Sequence, residues 1–200
     1  MSLPENLRTN RDTAVLIEQM GDDSAPVRER AAAELFARGR ERAERWARLW
    51  QKDADLAASF AMEEAGFPKT TVGIAVRAAT FERIREANQM PRLADVPPDQ
   101  DAQEFELHFS PGVQIDVLTT RDAEGNGAIA RFLAKFGEGI QQVELTVGNV
   151  DRATALLAER FGLKAIYPAA RAGADGTRVN FFLLAAEGEK LLIELVEASQ

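Results

Sequence analysis

The hydrophobic pattern changes its period once along this chain, near Pro68. Before that point apolar residues recur at three and four positions, the period of amphipathic helices. Ala14, Leu16, Ile17 and Met20 mark one such stripe over Arg11 to Met20, and Gly21 suits its end. Asp22, Asp23 and Ser24 form a polar turn, after which Ser24 can cap a helix with Pro26 in its first turn. That helix is expected to run to Arg38 and stop at Gly39. A third helical stretch covers Glu41 to Trp50, with an extension toward Glu64 as an option, and the pairs Glu41/Arg45 and Glu44/Arg48 stand in the favourable i,i+4 order. Residues 1–66 therefore read as a helical appendage that packs on the following region or on a partner.

From Thr70 the alternation is that of strands. TTVGIAV, EFELHFS and VQIDVLT read as strands, and AATFERIREANQM between the first two reads as a helix. Pro91 to Gln100, with prolines at 91, 97 and 98, reads as a loop or poor strand. A connector with one short helix follows. Then the scheme returns as IQQVELTV (strand), VDRATALLAERFG (helix), LKAIYPA (strand), the loop ARAGADG, TRVNFFLL and KLLIELVE (strands). Val72 matches Val143, and Asp116 matches Glu194. Two β-α-β-β-β units, 70–120 and 139–197, are each too small to cover both faces of a sheet. Joining them into one curved mixed-sheet cup solves this, so the predicted class is α+β with an N-terminal helical segment.

Composition narrows the chemistry. There is no cysteine and only one histidine, His108, so thiolate chemistry and any zinc site needing two imidazoles from one chain are excluded. The net charge of −8 opposes a phosphate backbone. The arginines at 28, 30, 38, 40, 42, 45 and 48 alternate with glutamates, as on a solvated, ion-paired helix. Neither a nucleic-acid partner nor a membrane is expected, since no apolar run approaches about 20 residues. Cytoplasmic residence is the default, because MSLPENLRTN lacks an apolar stretch of the secretory kind.

The segment GAIARFLAKFGEGIQQVELTVGNVDRATALLAERFGLKAIYP resembles the middle of methylmalonyl-CoA epimerases, where a short helix ending Phe-Leu leads into Gly-Ile-His-His-Ile and a strand. It is also similar to hydroxyphenylpyruvate dioxygenases, which have Gln-His-Ile there. TTVGIAV resembles the opening Asp-His-Ile-Gly-Ile-Ala-Val of this superfamily, the vicinal oxygen chelate or glyoxalase-like proteins, which also includes bleomycin-resistance proteins. KLLIELVE resembles the family's last strand, whose Glu is a metal ligand. The likeness spans about residues 70–197. It implies a cup with a divalent metal held by one side chain from each of four strands, and proton abstraction beside a carbonyl. The family positions fall on Thr71, Asp116, Gln142 and Glu194. Only Glu194 keeps the standard residue, and both imidazoles are replaced. The phrase GDDSAPVRERAAAELFARG, with Val27 and Arg28, resembles about one HEAT repeat.

Two readings stay open. In one, the cup binds a small molecule without a resident cofactor, and Gln142 and Thr71 satisfy the carboxylates. In the other, the all-oxygen set holds Mg²⁺, Mn²⁺ or Ca²⁺, and Glu144 and Glu194 serve an epimerase, isomerase or lyase. A third reading makes the helices a docking surface and the cup a scaffold. Arg178, Asn180 and His108 are candidate substrate contacts, Arg178 because a guanidinium suits a carboxylate. Against this, an exposed strand face fits Arg178 and Asn180 equally, and an ordinary strand histidine beside a Glu fits His108. ARAGADG reads as a lid or a plain surface loop. Trp46 and Trp50, at i,i+4, read as an anchor for the appendage, and pairing of two copies is expected from the family.

Overall fold

The computed structural model describes residues 5–109, 112–186 and 189–197; Met1 to Pro4, at the start of the helical region, lie outside this range. Helix α1 covers Glu5–Gln19 and α2 covers Ala25–Trp50. Gly39 does not interrupt α2. A mid-helix glycine costs only about 1 kcal/mol, and the buried residues on either side of it, Leu35, Phe36, Ala43 and Ala47, outweigh that. After Trp50 the helix stops, and Asp53 caps the one-turn α3, Ala54–Ala57, by accepting the Leu56 amide at 3.0 Å. Residues 58–69 are not helical: Phe60 and Met62 form isolated bridges with Val147 and Pro68.

The remaining elements are β1 (Thr70–Ala75), α4 (Ala78–Ala87), β2 (Gln103–Phe109), β3 (Val113–Thr119), α5 (Ala128–Phe136), β4 (Gly139–Thr146), α6 (Val150–Phe161), β5 (Arg171–Ala172), β6 (Arg178–Ala186) and β7 (Glu189–Glu197). The expected strand over LKAIYPA does not form; that stretch holds to β6 through the Ile166 amide and Phe181 carbonyl at 2.7 Å. The chain divides into two compact units: residues 1–38, 72–94 and 98–141, and residues 39–71, 95–97 and 142–200.

In the first unit the strand order is β2-β3-β1. β3 runs antiparallel to β2 and parallel to β1, with Val72 opposite Ile115 and Gly73 opposite Asp116. Its core joins Val72, Ile74, Phe105, Leu107, Ile115 and Val117 of the sheet to Phe81 and Ile84 of α4. Leu16 and Ile17 of α1, Met20 just after it, and Leu35 and Phe36 of α2 lie in the same core. Asn88, at the end of α4, donates to the Met20 carbonyl at 3.1 Å and accepts from Arg28 Nε at 3.1 Å, which ties both helices down.

In the second unit the order is β4-β7-β6-β5. β4 and β7 are parallel, with Val143 opposite Ile193 and Glu144 opposite Glu194. The pairing repeats that of Val72 with Ile115 and of Gly73 with Asp116, so the 70s and 140s are equivalent in register as well as in sequence. Val143, Leu145 and Val147 pack with Val150, Ala153 and Leu157 of α6. Ala43, Ala47 and Trp50 of α2 share that core, where Trp50 stacks on Phe60 with ring centroids 6.4 Å apart. The sequence class, α+β with mixed strand pairing and an N-terminal helical segment, matches this architecture.

Candidate functional site

Strand alternation in the second unit sends one set of side chains to the core and the other to the opposite face. On β4 the core takes Val143 and Leu145, leaving Gln142, Glu144 and Thr146 on the other side. On β7 it takes Leu191, Ile193 and Leu195, leaving Leu192, Glu194 and Val196. Register then places Glu194 between Glu144 on one flank and Phe181 of β6 on the other. Leu183, two residues along β6, shares this face and is 52% exposed.

Gln142 organises the polar part. Its amide nitrogen donates to Glu194 Oε2 at 2.5 Å and to Glu144 Oε1 at 3.1 Å. Gln142 and Glu194 are buried and Glu144 is half-buried. One neutral donor thus serves two carboxylates, in keeping with the need of buried polar groups for hydrogen-bond partners. Beside them stands an apolar wall of Phe181, Leu183 and Leu192. The Tyr167 ring meets Phe181 edge-on at 6.0 Å, and the Arg171 guanidinium lies 4.7 Å from the Tyr167 centroid. Such a face can grip an apolar body and accept hydrogen bonds from a donor on it.

The fit to a divalent metal is poor. Metal ligation needs lone pairs converging on one point. Here an N–H donor points at the Glu194 oxygen, and among the described residues no group of three or more His, Asp or Glu side chains is placed to hold an ion.

The other predicted residues are distributed as follows. Thr71 is half-buried in the second unit's part of β1. Asp116 is buried on β3 of the first unit, in register with Gly73 and Glu106. His108 is exposed on β2; its Nε2 lies 3.2 Å from Glu106 Oε2 and its Nδ1 3.2 Å from the Gln114 amide nitrogen. Glu106, His108, Gln114 and Asp116 share one face of the first unit's sheet. Arg178 and Asn180 are not brought to the Glu194 face. Asn180 pairs with Leu195 and alternates with Phe182 and Leu184, so it faces the core. It is fully buried, donating to the Tyr167 carbonyl at 3.3 Å and accepting the Phe181 amide at 2.9 Å. Arg178 holds Asp151 at 2.6 Å and Glu197 at 3.3 Å. Its pKa is raised, first by the hydrogen bond to Asp151 and then by that carboxylate's charge. The loop ARAGADG is fastened at Asp175, whose carboxylate accepts the Asp95 amide at 2.8 Å while its own amide donates to the Asp95 carbonyl at 3.0 Å. Sequence reading missed the apolar wall, because Phe181 and Leu183 become its members only through their register with β7.

No family model matches the chain, and no curated protein matches it by sequence. Solved structures do. A methylmalonyl-CoA epimerase from Mycobacterium tuberculosis is 30% identical with a TM-score of 0.54, over 65% of this chain and 87% of that one. A protein from Bacillus halodurans described only as hypothetical is 25% identical with a TM-score of 0.53, over 65% and 93%. The Streptomyces coelicolor methylmalonyl-CoA epimerase, solved with 2-nitronate-propionyl-CoA, shares the fold at 24% identity and a TM-score of 0.52, over 66% and 98%. With two register-equivalent units on the page and an epimerase matched over most of its length, this chain belongs to the glyoxalase-like superfamily.

Proposed function

We propose that this protein binds a small molecule on the Gln142–Glu144–Glu194 face and lacks the standard metal-dependent activity of its superfamily. The observation that carries the reading is the single Gln142 amide that donates to both carboxylates. Where the family resemblance implies an imidazole lone pair, this chain supplies hydrogen-bond donors. The neighbouring apolar wall supports a ligand with an apolar body. The matched epimerases, captured with 2-nitronate-propionyl-CoA or methylmalonyl-CoA, support a ligand of small-molecule class. The N-terminal helices direct their apolar stripes into the two cores, which weakens their reading as a docking surface. No described helix is long and apolar enough to cross a membrane. Pairing of copies, with cytoplasmic residence, completes the proposal.

One observation favours the epimerase, isomerase or lyase reading with an oxygen-ligated Mg²⁺, Mn²⁺ or Ca²⁺. Asp116 and Glu194 are carboxylates at equivalent register positions of the two units. Elemental analysis of the purified protein, then titration with Mg²⁺, Mn²⁺, Ca²⁺, Co²⁺ and Zn²⁺, separates the two. The binding reading expects no saturable metal at millimolar concentration. Roughly one equivalent, lost in Glu194→Ala, would overturn it in favour of the metal enzyme.

A further inference from the structure

The first unit carries an open surface pocket of about 220 Å³ that the Glu194 face does not explain. Its walls come from the first turns of α2, the end of α4 and the last residues of β2, all within that unit. Leu107 and Phe109 give it an apolar side, and both pack on the unit's core. His108, the chain's one histidine, lies between them.

Arg28 is the residue that sets the chemistry. It is half-buried, and each of its partners is a neutral oxygen: Asn88 Oδ1 on Nε at 3.1 Å, and the carbonyls of Asp22 and Asp23 on Nη1 at 2.8 and 3.0 Å. Three bonds fix the orientation of the guanidinium, yet none of them brings a carboxylate to it. A partly buried, oriented cation without an anionic partner is the arrangement that recognises a carboxylate. Next to Asn88 in the lining, Gln89 has φ of 66° and is followed by Met90 at 53°. Two successive non-glycine residues in the left-handed region are disfavoured, and such strain concentrates at ligand sites. Glu29 also lines the cavity, so a dianion is opposed.

We propose that this cavity is a second binding site, for a small aliphatic monocarboxylate. At about 220 Å³ and open to solvent, the pocket has room for a branched aliphatic acid of isocaproate or leucine size. The carboxylate pairs with Arg28, and the aliphatic body lies on Leu107 and Phe109. A free amino acid and a simple fatty acid share this chemistry. They differ in the ammonium group, for which Glu29 is the carboxylate of the lining.

The test is an NMR titration of the isotope-labelled full chain with isocaproate, leucine and inorganic phosphate. Isocaproate or leucine is expected to saturate, with a Kd on the order of millimolar for a ligand of this size. The shifted amides should cluster at 88–89 and 107–109. Tighter leucine than isocaproate identifies an amino acid as the source, and the reverse order identifies a fatty acid. Arg28→Gln should weaken binding about tenfold or more, and Arg28→Lys by less. Because Arg28 also fastens the turn at Asp22 and Asp23, Ala25→Leu is the second variant. It leaves every Arg28 bond in place and should weaken binding by filling the cavity. The proposal is overturned by no saturable shift with either carboxylate at about 20 mM, well above the expected Kd. Phosphate binding as tightly as isocaproate, shifts centred on residues 142–144 and 194, or full affinity in both Arg28→Gln and Ala25→Leu would overturn it too.

Discussion

The two units present the same backbone positions with different side chains. Gly73 in the first unit corresponds to Glu144 in the second, Asp116 to Glu194, Glu106 to Phe181, His108 to Leu183 and Gln114 to Leu192. The first unit is therefore polar along β2, where the second has an apolar wall along β6. It has a glycine where the second has a carboxylate. A duplicated scaffold decides where side chains can meet, and the residues placed there decide what they meet for.

The strongest way to break the comparison is to remove the helices from one unit. A chain beginning at Gly39 loses Leu16, Ile17, Met20, Leu35 and Phe36 from the first core and nothing from the second. At about 1.5–3 kcal/mol for each large side chain, the loss matches the whole stability of a typical domain. Heat-capacity scans should show the first unit without a cooperative transition. A scan unchanged from the full chain would mean that the helices are dispensable there.

The next effect lies in the polar cluster of the second unit. Gln142→Ala removes one donor from buried Glu194 and should cost about 1–3 kcal/mol in urea denaturation. Replacing both partners, Gln142→Leu with Glu194→Leu, should cost less than the sum of the two single changes, because the buried Glu194 carboxylate goes together with its donor and only half-buried Glu144 loses a bond. Strict additivity would argue that the bond contributes nothing. The smallest effect belongs to the first unit's counterpart. His108→Ala removes an exposed contact with Glu106 and should change stability by about 0–1 kcal/mol. A loss as large as that of Gln142→Ala would make the two faces energetically alike.

Much of this architecture was legible in the chain itself. The strict alternation of QVELTV placed Gln142 and Glu144 on one face before any partner strand was known. The match of Asp116 to Glu194 anticipated their equivalent register. What escaped was whatever depends on neighbours. Gly39 looked like a stop because local propensity favours one, and packing of the residues around it overrode that propensity. LKAIYPA has strand-like composition, yet what ties it to β6 is the Ile166 amide on the Phe181 carbonyl and the Asn180 side chain on the Tyr167 carbonyl, without a ladder. Arg178 and Asn180 read equally as substrate contacts or as an exposed strand face, and their alternation with Val179 and Phe181 puts them on the side of Phe182 and Leu184. Only the pairing of Asn180 with Leu195 reveals that this side is the covered one. Arg28 stood in a turn-helix phrase, and its neutral partners became visible only once Asn88, 60 residues away, was brought beside it.

The division of α2 between two cores has a consequence for synthesis. The first core is complete once Ile140 has been made. The second needs Leu191, Ile193 and Leu195 from the last strand before Ala43, Ala47 and Trp50 are covered. At about 5–20 residues per second, the rear half of that helix leaves the ribosome roughly 7–30 s before the last strand does. In that interval the nascent chain carries one finished unit and an apolar helical stripe whose earliest partners are Leu56, Phe60 and Phe67, so the second half of α2 waits on a partial cover until the last strand arrives.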